Sequence, residues 1–150
     1  IVAASNGRQD KDFVIMARCD ALASEGLDGF LERSVAYAKA GADMLFAEAM
    51  TDLDHYAHIK EKIKIPLLAN MTEFGKTRLY TRTELGAVGV DIALYPLSAV
   101  RGMAKTAQEI YTILAQSDHQ GDGLDMMQTR DELYNTLNYD MAVDNPADMG

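Results

Sequence analysis

Four short apolar runs, each ending in a polar residue or at a Pro, constrain the fold of this chain more than any other feature. They are Phe13-Val14-Ile15-Met16-Ala17 before Arg18, Met44-Leu45-Phe46-Ala47 before Glu48, Pro66-Leu67-Leu68-Ala69 before Asn70, and Ile92-Ala93-Leu94 before Tyr95-Pro96. The runs are continuous rather than alternating, which is the pattern of buried parallel strands. Amphipathic stretches separate them, so the alternation predicts a parallel sheet with right-handed helical crossovers. In a β/α barrel the chemistry sits at the C-terminal ends of such strands. Arg18, Glu48 and Asn70 are therefore a row of candidate site residues. A closed barrel takes eight strand–helix units, and four are legible here.

The connecting stretches read as follows. Ala21 to Gly26 is expected to be a loop, followed by a helix with Leu27, Phe30, Leu31, Val35 and Ala38 on one face. Gly41 closes that helix as a residue able to take positive φ. A second helix starts near Thr51-Asp52, both good cap types, and carries Leu53, Tyr56 and Ile63. Pro66 opens the third strand, where a missing N–H is tolerated. Met71 to Thr77 is too polar for a helix, and Thr81-x-x-Glu84 matches a capping box for a short third helix. Val90 to Leu94 forms the fourth strand. Val100, Met103, Ala104, Ala107, Ile110, Tyr111 and Leu114 then fall at three- and four-residue steps and predict the strongest helix of the chain. Ser117 to Gly123 is expected to be a loop, Met127 to Tyr139 a last helix, and Asp140 to Gly150 a weakly structured tail. The expected domains are residues 1–116, half of a β/α barrel; 117–139, a loop and C-terminal helix; and 140–150, the tail.

Composition narrows the function. The chain has 150 residues, 48 % of them hydrophobic and 25 % charged, within the range of a globular domain with a core. A net charge of −9 argues against nucleic acid and anionic membrane as partners, since phosphate contacts need clustered Lys and Arg. No apolar run approaches the length of a membrane span, and no signal peptide is visible in Ile1 to Asp12. The single Cys19 excludes an intramolecular disulfide and fits a reducing cytoplasm. There is no initiator Met, so the start is expected to be processed or the chain to be a piece of something longer.

Arg18 and Asp20 bracket the end of the first strand, and an Arg fork matches a carboxylate bidentately. A carboxylate such as Glu48, ending an otherwise apolar run, must be paired, metal-linked or protonated. For both residues the plain alternative is a salt bridge to each other across the mouth of the sheet. Asn70 and Thr72, flanking Met71, suit hydrogen bonds to a bound carboxylate, though Asn and Thr also favour turns. Arg101 in the first turn of the long helix and Arg130 at the start of the last one lie where helix ends favour anions; ordinary surface Arg is the alternative. Cys19 is expected to face away from Arg18 by strand alternation. His55, His58 and His119 show no recognised zinc spacing, and there is no phosphate-cradling Gly loop.

Met16-Ala17-Arg18-Cys19-Asp20-Ala21, Ala42-Asp43-Met44-Leu45-Phe46-Ala47-Glu48-Ala49, Leu68-Ala69-Asn70-Met71-Thr72-Glu73-Phe74-Gly75 and Leu94-Tyr95-Pro96-Leu97-Ser98-Ala99-Val100-Arg101 occur in that order. Together they resemble the C-terminal half of the methylisocitrate lyase family, in the isocitrate lyase and phosphoenolpyruvate mutase superfamily. Met127-Gln128-Thr129-Arg130-x-Glu132-Leu133-Tyr134 resembles the segment that follows the barrel in those lyases. The resemblance fades before Ser5 and after Tyr139.

The resemblance implies the C-terminal half of a (β/α)8 TIM barrel, with four parallel strands, outer helices and a C-terminal helix. It implies Mg²⁺-dependent cleavage of 2-methylisocitrate to pyruvate and succinate, a retro-aldol carbon–carbon cleavage in propionate catabolism through the methylcitrate cycle. Arg18 and Glu48 match the family's catalytic positions. Arg18, Glu48, Asn70, Met71, Thr72, Arg101 and Arg130 match substrate-binding ones. No direct metal ligand is implied here; Glu48 would act through water. The substrate would be a small tricarboxylic acid. The implied partners are the N-terminal half-barrel of the same protein and further copies in a cytoplasmic homotetramer. The metal-binding aspartates and the K-K-C-G-H loop with the catalytic Cys belong to earlier strands, so this chain alone is expected to be inactive. Its start is expected to lie just past that mobile loop, at a nick or truncation. Cys19 stands where family members commonly have Thr, and Ala47 where many have Pro. The alternatives are another superfamily lyase, mutase or hydrolase, such as a dimethylmalate lyase, or a non-catalytic half-barrel that only associates with a partner.

Overall fold

The computed structural model of the chain describes residues 1–140. Four parallel strands form one sheet in sequence order: β1 (Met16–Cys19), β2 (Met44–Ala47), β3 (Leu67–Asn70) and β4 (Ile92–Leu94). Helices α1 (Val2–Gly7), α2 (Leu22–Lys39), α3 (Leu53–Lys62), α4 (Arg82–Ala87), α5 (Ser98–Ser117) and α6 (Arg130–Leu137) occupy the remainder, with a 3₁₀ turn at Gly121–Met126. The chain divides into two compact units, residues 1–99 and residues from Val100 onward. No helix among the described residues is long and apolar enough to cross a membrane.

In the first unit one face of the sheet is closed by helices. Cys19, Leu45, Ala47, Leu67 and Ala69 pack with Phe30 of α2, Tyr56 and Ile59 of α3, and Leu85 of α4 in a single apolar core. The register sets Arg18 beside Phe46, Phe46 beside Leu68, and Leu68 beside Ile92, a row that faces the other way. On that second face Met16 is 38 % and Ile92 37 % exposed, while Leu68 in the same row is buried. The continuous apolar runs thus belong to a sheet with apolar residues on both faces, one of which the helices of the first unit close.

Local chemistry explains most boundaries. Gly41, at φ 97°, follows the end of α2 as expected. Asp52 caps α3 by accepting the N–H of Asp54 at 3.0 Å. Thr81 and Glu84 form the expected capping box at α4, with Glu84 Oε2 accepting the Thr81 N–H at 2.7 Å. Thr129 and Glu132 form a second one at α6.

Several expectations are corrected. The first strand begins at Met16, not Phe13; Phe13 and Val14 lie exposed in a turn closed by Asp10, and the Ile15 N–H goes to the Asp43 carboxylate instead of a neighbouring strand. Pro66 precedes β3 and contributes only its carbonyl, to Leu45 N–H at 2.9 Å. The segment from Leu22 to Glu25 is helical rather than a loop, and Gly26 at φ 69° kinks α2 without ending it. α5 runs from Ser98 to Ser117, and part of the expected loop after it is the 3₁₀ turn. The last helix is shorter than Met127 to Tyr139, because the Thr129 cap fixes its start and Asn138 takes a left-handed conformation at its end. The expected weak tail lies, Asp140 apart, outside the described residues. α1 carries no apolar periodicity and had no signal of its own.

Candidate active site at the strand ends

Arg18 is the third residue of β1 and points away from the helices, its side chain 53 % exposed; Cys19, the next residue, is buried on the helix side. The guanidinium forks onto Asp20, with Nε to Oδ2 at 3.0 Å and Nη2 to Oδ1 at 2.8 Å. Its Nη2 also stands 3.4 Å from Glu48 Oε1, and its Cζ lies 5.2 Å from the centroid of the Phe46 ring, its neighbour in register. A planar cation over an aromatic face is held in orientation as well as in place. The hydrogen bond to Asp20 raises the affinity of Arg18 for its proton and, reciprocally, holds the Asp20 carboxyl below the usual carboxylate range.

Glu48 follows the last residue of β2, and its backbone N–H donates to Cys19 O at 3.1 Å, extending the β1–β2 ladder one step. Ala49 then turns the chain at φ 55°, a left-handed conformation rare for residues other than Gly, Asn and Asp. Glu48 is the more sequestered partner, at 22 % side-chain exposure. Its Oε2 accepts from Asn70 Nδ2 at 3.3 Å, and Asn70 Oδ1 accepts from the Thr72 hydroxyl at 3.0 Å. Between them Met71 is buried, and its N–H donates to Leu94 O at 2.8 Å. A connected polar line therefore runs Asp20–Arg18–Glu48–Asn70–Thr72 along the C-terminal ends of three adjacent strands. It combines a fixed cation, a half-buried carboxylate, an amide and a hydroxyl, a set suited to grip a small polycarboxylate.

Five of the seven candidate residues, Arg18, Glu48, Asn70, Met71 and Thr72, thus meet in the first unit. Arg101 is half-buried in the first turn of α5 and Arg130 is exposed at the first position of α6; both belong to the second unit. Two participants had little sequence signal. Phe46 reads simply as one apolar residue of a strand, because its register with Arg18 is set between strands. Asp20 was visible beside Arg18 but not as the main holder of its fork.

Among the described residues no group of three or more His, Cys, Asp or Glu could hold a metal ion. The donor set present thus does not by itself make a metal centre. His55 and His58 of α3 do not join one, His58 Nδ1 lying 2.7 Å from Asp54 O. Cys19 is buried in the core, and burial pushes its thiol pKa up, the opposite of an activated nucleophile.

Residues 1–114 match the family described as phosphoenolpyruvate phosphomutase. The chain belongs to that family. It is 52 % identical over 139 residues to the 2-methylisocitrate lyase of Salmonella typhimurium, a match covering 93 % of this chain and 47 % of that enzyme. The crystal structure of a 2,3-dimethylmalate lyase, described as a member of the PEP mutase/isocitrate lyase superfamily, superimposes with a TM-score of 0.76 at 28 % identity, over 91 % of this chain and 48 % of that one. A phosphonopyruvate hydrolase crystallised with oxalate and Mg²⁺ shares the fold, with a TM-score of 0.77 at 22 % identity, over 97 % of this chain and 52 % of that one. The chain spans about half the length of the curated relatives it matches.

Proposed function

We propose that these residues are one half of the active site of a carbon–carbon lyase that cleaves 2-methylisocitrate to pyruvate and succinate. The observation that carries the reading is the Arg18–Glu48–Asn70–Thr72 line at the strand ends, in a chain 52 % identical to a 2-methylisocitrate lyase. Arg18 binds and stabilises negative charge on the pyruvate side of the substrate, held in orientation by Asp20 and Phe46. Glu48 orients the reacting hydroxyl through a hydrogen bond or a water. Asn70 and Thr72, with the buried Met71 between them, seat a carboxylate, and Arg101 and Arg130 bind further carboxylates of the same small tricarboxylic acid.

The cation count supports this assignment. A tricarboxylate brings three negative charges, and Arg101 and Arg130 add fixed positive charge and planar, bidentate geometry to that of Arg18, whose fork is shared with Asp20 and Glu48. Mg²⁺ belongs to the proposal for the full-length enzyme, where it would neutralise charge on the substrate. The ligands for it are assigned to an N-terminal half-barrel of the same protein, since the described residues do not form a metal centre. That half would also pair with the open edges of β1 and β4 and cover the sheet face bearing Met16 and Ile92, because an exposed sheet edge and apolar face call for a partner. The 150 residues on their own are accordingly assigned no lyase activity. A homotetrameric assembly, a place in propionate catabolism through the methylcitrate cycle and a cytoplasmic site of action complete the reading. So does a chain organised as barrel half (1–116), loop and helix (117–139) and tail (140–150).

The deciding experiment is pyruvate release by the full-length protein from 2-methylisocitrate, with and without Mg²⁺, beside 2,3-dimethylmalate and phosphonopyruvate. Turnover of 2-methylisocitrate alone supports the reading. Preference for either of the other substrates replaces it with another superfamily activity.

A further inference from the structure

We propose that Glu73 and Ser98 form a clamp between the loops following β3 and β4, and that both are positioning residues for the Asn70–Thr72 turn. Met71 N–H still donates to Leu94 O at 2.8 Å, so the chain leaves the β3–β4 ladder only after that residue. It then turns back sharply, with Gly75 N–H donating to Thr72 O at 3.3 Å. Inside this turn Phe74 sits at φ 61°, a left-handed conformation that bulky side chains rarely adopt. With 95 % of its surface exposed, burial of the ring does not hold it there.

An anchor lies one residue earlier. Glu73 Oε1 accepts a hydrogen bond from the Ser98 hydroxyl, and Glu73 Oε2 is shut away from solvent. Ser98 opens α5 only a few residues past Leu94, and Pro96 restricts the backbone between them. The contact therefore ties a turn under conformational strain to a short, stiff segment. A charge-assisted hydrogen bond is among the stronger ones available for that task.

The consequence for the site follows from what shares the turn. The Thr72 hydroxyl fixes Asn70 Oδ1 at 3.0 Å, which leaves Asn70 Nδ2 directed at Glu48. Release of the Glu73 anchor frees Thr72 first, then the rotation of the Asn70 amide, then its hold on Glu48. Past the ladder contact of Met71 with Leu94, the anchor adds a side-chain tie between the stretches Asn70 to Gly75 and Leu94 to Ser98. The effect on substrate rests on the lyase reading above, whereas the effect on the turn does not.

The test uses the full-length protein carrying Ser98→Ala, Glu73→Ala or Ser98→Thr. Amide hydrogen exchange over residues 72–77, measured without substrate, is expected to speed up in Ser98→Ala and Glu73→Ala and to stay near wild type in Ser98→Thr, which keeps the hydroxyl. The KM for 2-methylisocitrate is expected to rise roughly 3- to 10-fold in the first two, as for loss of one hydrogen bond with partial solvent exposure, with an unchanged thermal midpoint. Unchanged exchange in both variants overturns the clamp. Faster exchange with an unmoved KM in an active enzyme overturns the positioning role. If the unsubstituted protein fails to turn over 2-methylisocitrate, the lyase reading falls, and the exchange result alone decides the clamp.

Discussion

Asp43 Oδ2 accepts the backbone N–H of Ile15 at 2.8 Å, joining the start of β2 to the residue just before β1. The same device recurs two strands on, where Asp91 Oδ2 accepts the N–H of Leu67 at 2.8 Å. Each carboxylate also holds a cation, Arg8 for Asp43 and Lys60 for Asp91, and each follows a Gly at positive φ, Gly41 and Gly89. These aspartates act as staples at the N-terminal ends of the strands, opposite the proposed site.

Both staples make stability depend on acid. The backbone N–H of Ile15 lowers the Asp43 pKa; for Asp91 burial opposes ionisation, but the Leu67 N–H and Lys60 outweigh it. A depressed folded-state pKa means that the native state binds fewer protons than the unfolded chain. The stabilisation is then fully present above the unfolded value of about 3.9 and is lost as pH falls through the folded values. Thermal midpoints should therefore drop below about pH 4, and Asp43→Asn with Asp91→Asn should flatten that drop. An acid limb identical in wild type and double variant would show that other carboxylates govern it.

Cys19 should be chemically quiet. It is buried, and burial raises its pKa. A thiol reagent such as dithionitrobenzoate should modify it in native protein far more slowly than after denaturation, at a rate that follows unfolding. Rapid modification of the native protein would contradict its placement in the core.

The four-strand architecture was legible because a buried parallel strand leaves a continuous apolar run. Arg18, Glu48 and Asn70, each ending or following such a run, could be placed on one edge in the same way. Strand beginnings were less legible: Phe13 and Val14 look identical to core residues in sequence, and the Asp10 turn, the Arg8 contact with Phe13 O and the Asp43 carboxylate on Ile15 N–H keep this segment out of the ladder. The stretch Ala21 to Gly26 reads as a loop before the helix, but the chain is already helical from Leu22 and only bends at Gly26. Asp20, Phe46 and the Glu73–Ser98 contact depend on register and loop geometry, which no local pattern encodes.

The capping box at α4 should be measurable by itself. Thr81→Ala removes the acceptor for the Glu84 N–H, at 3.1 Å, and should cost about 1 kcal/mol of stability. Thr81→Ser retains the oxygen and should recover most of it. Equal thermal denaturation of wild type and Thr81→Ala would show that the core contact of Leu85 alone sets that helix.

Arg101 is a test of binding rather than folding. Arg101→Ala in the full-length enzyme should weaken substrate by roughly 10- to 100-fold, the effect of one lost hydrogen bond to a charged group. Lysine should not restore it, since an ammonium cannot reproduce a bidentate fork. Steady-state kinetics beside a melting curve separate the two outcomes: a lowered midpoint with unchanged KM would assign Arg101 to structure.

Arg18 carries the sharpest prediction, because its geometry is the most constrained. Two of its nitrogens engage Asp20, one of them also approaches Glu48, and its face lies over Phe46. Arg18→Lys keeps the charge but loses the fork and the stacking, so kcat/KM should fall roughly 10- to 100-fold despite an unchanged net charge. Asp20→Asn should do less, since the amide keeps one acceptor for the guanidinium and Glu48 and Phe46 still orient it. If Arg18→Lys were fully active and Asp20→Asn inactive, the guanidinium would be a structural partner of Asp20, and the chemistry at this edge would have to be assigned to Asp20 and Glu48.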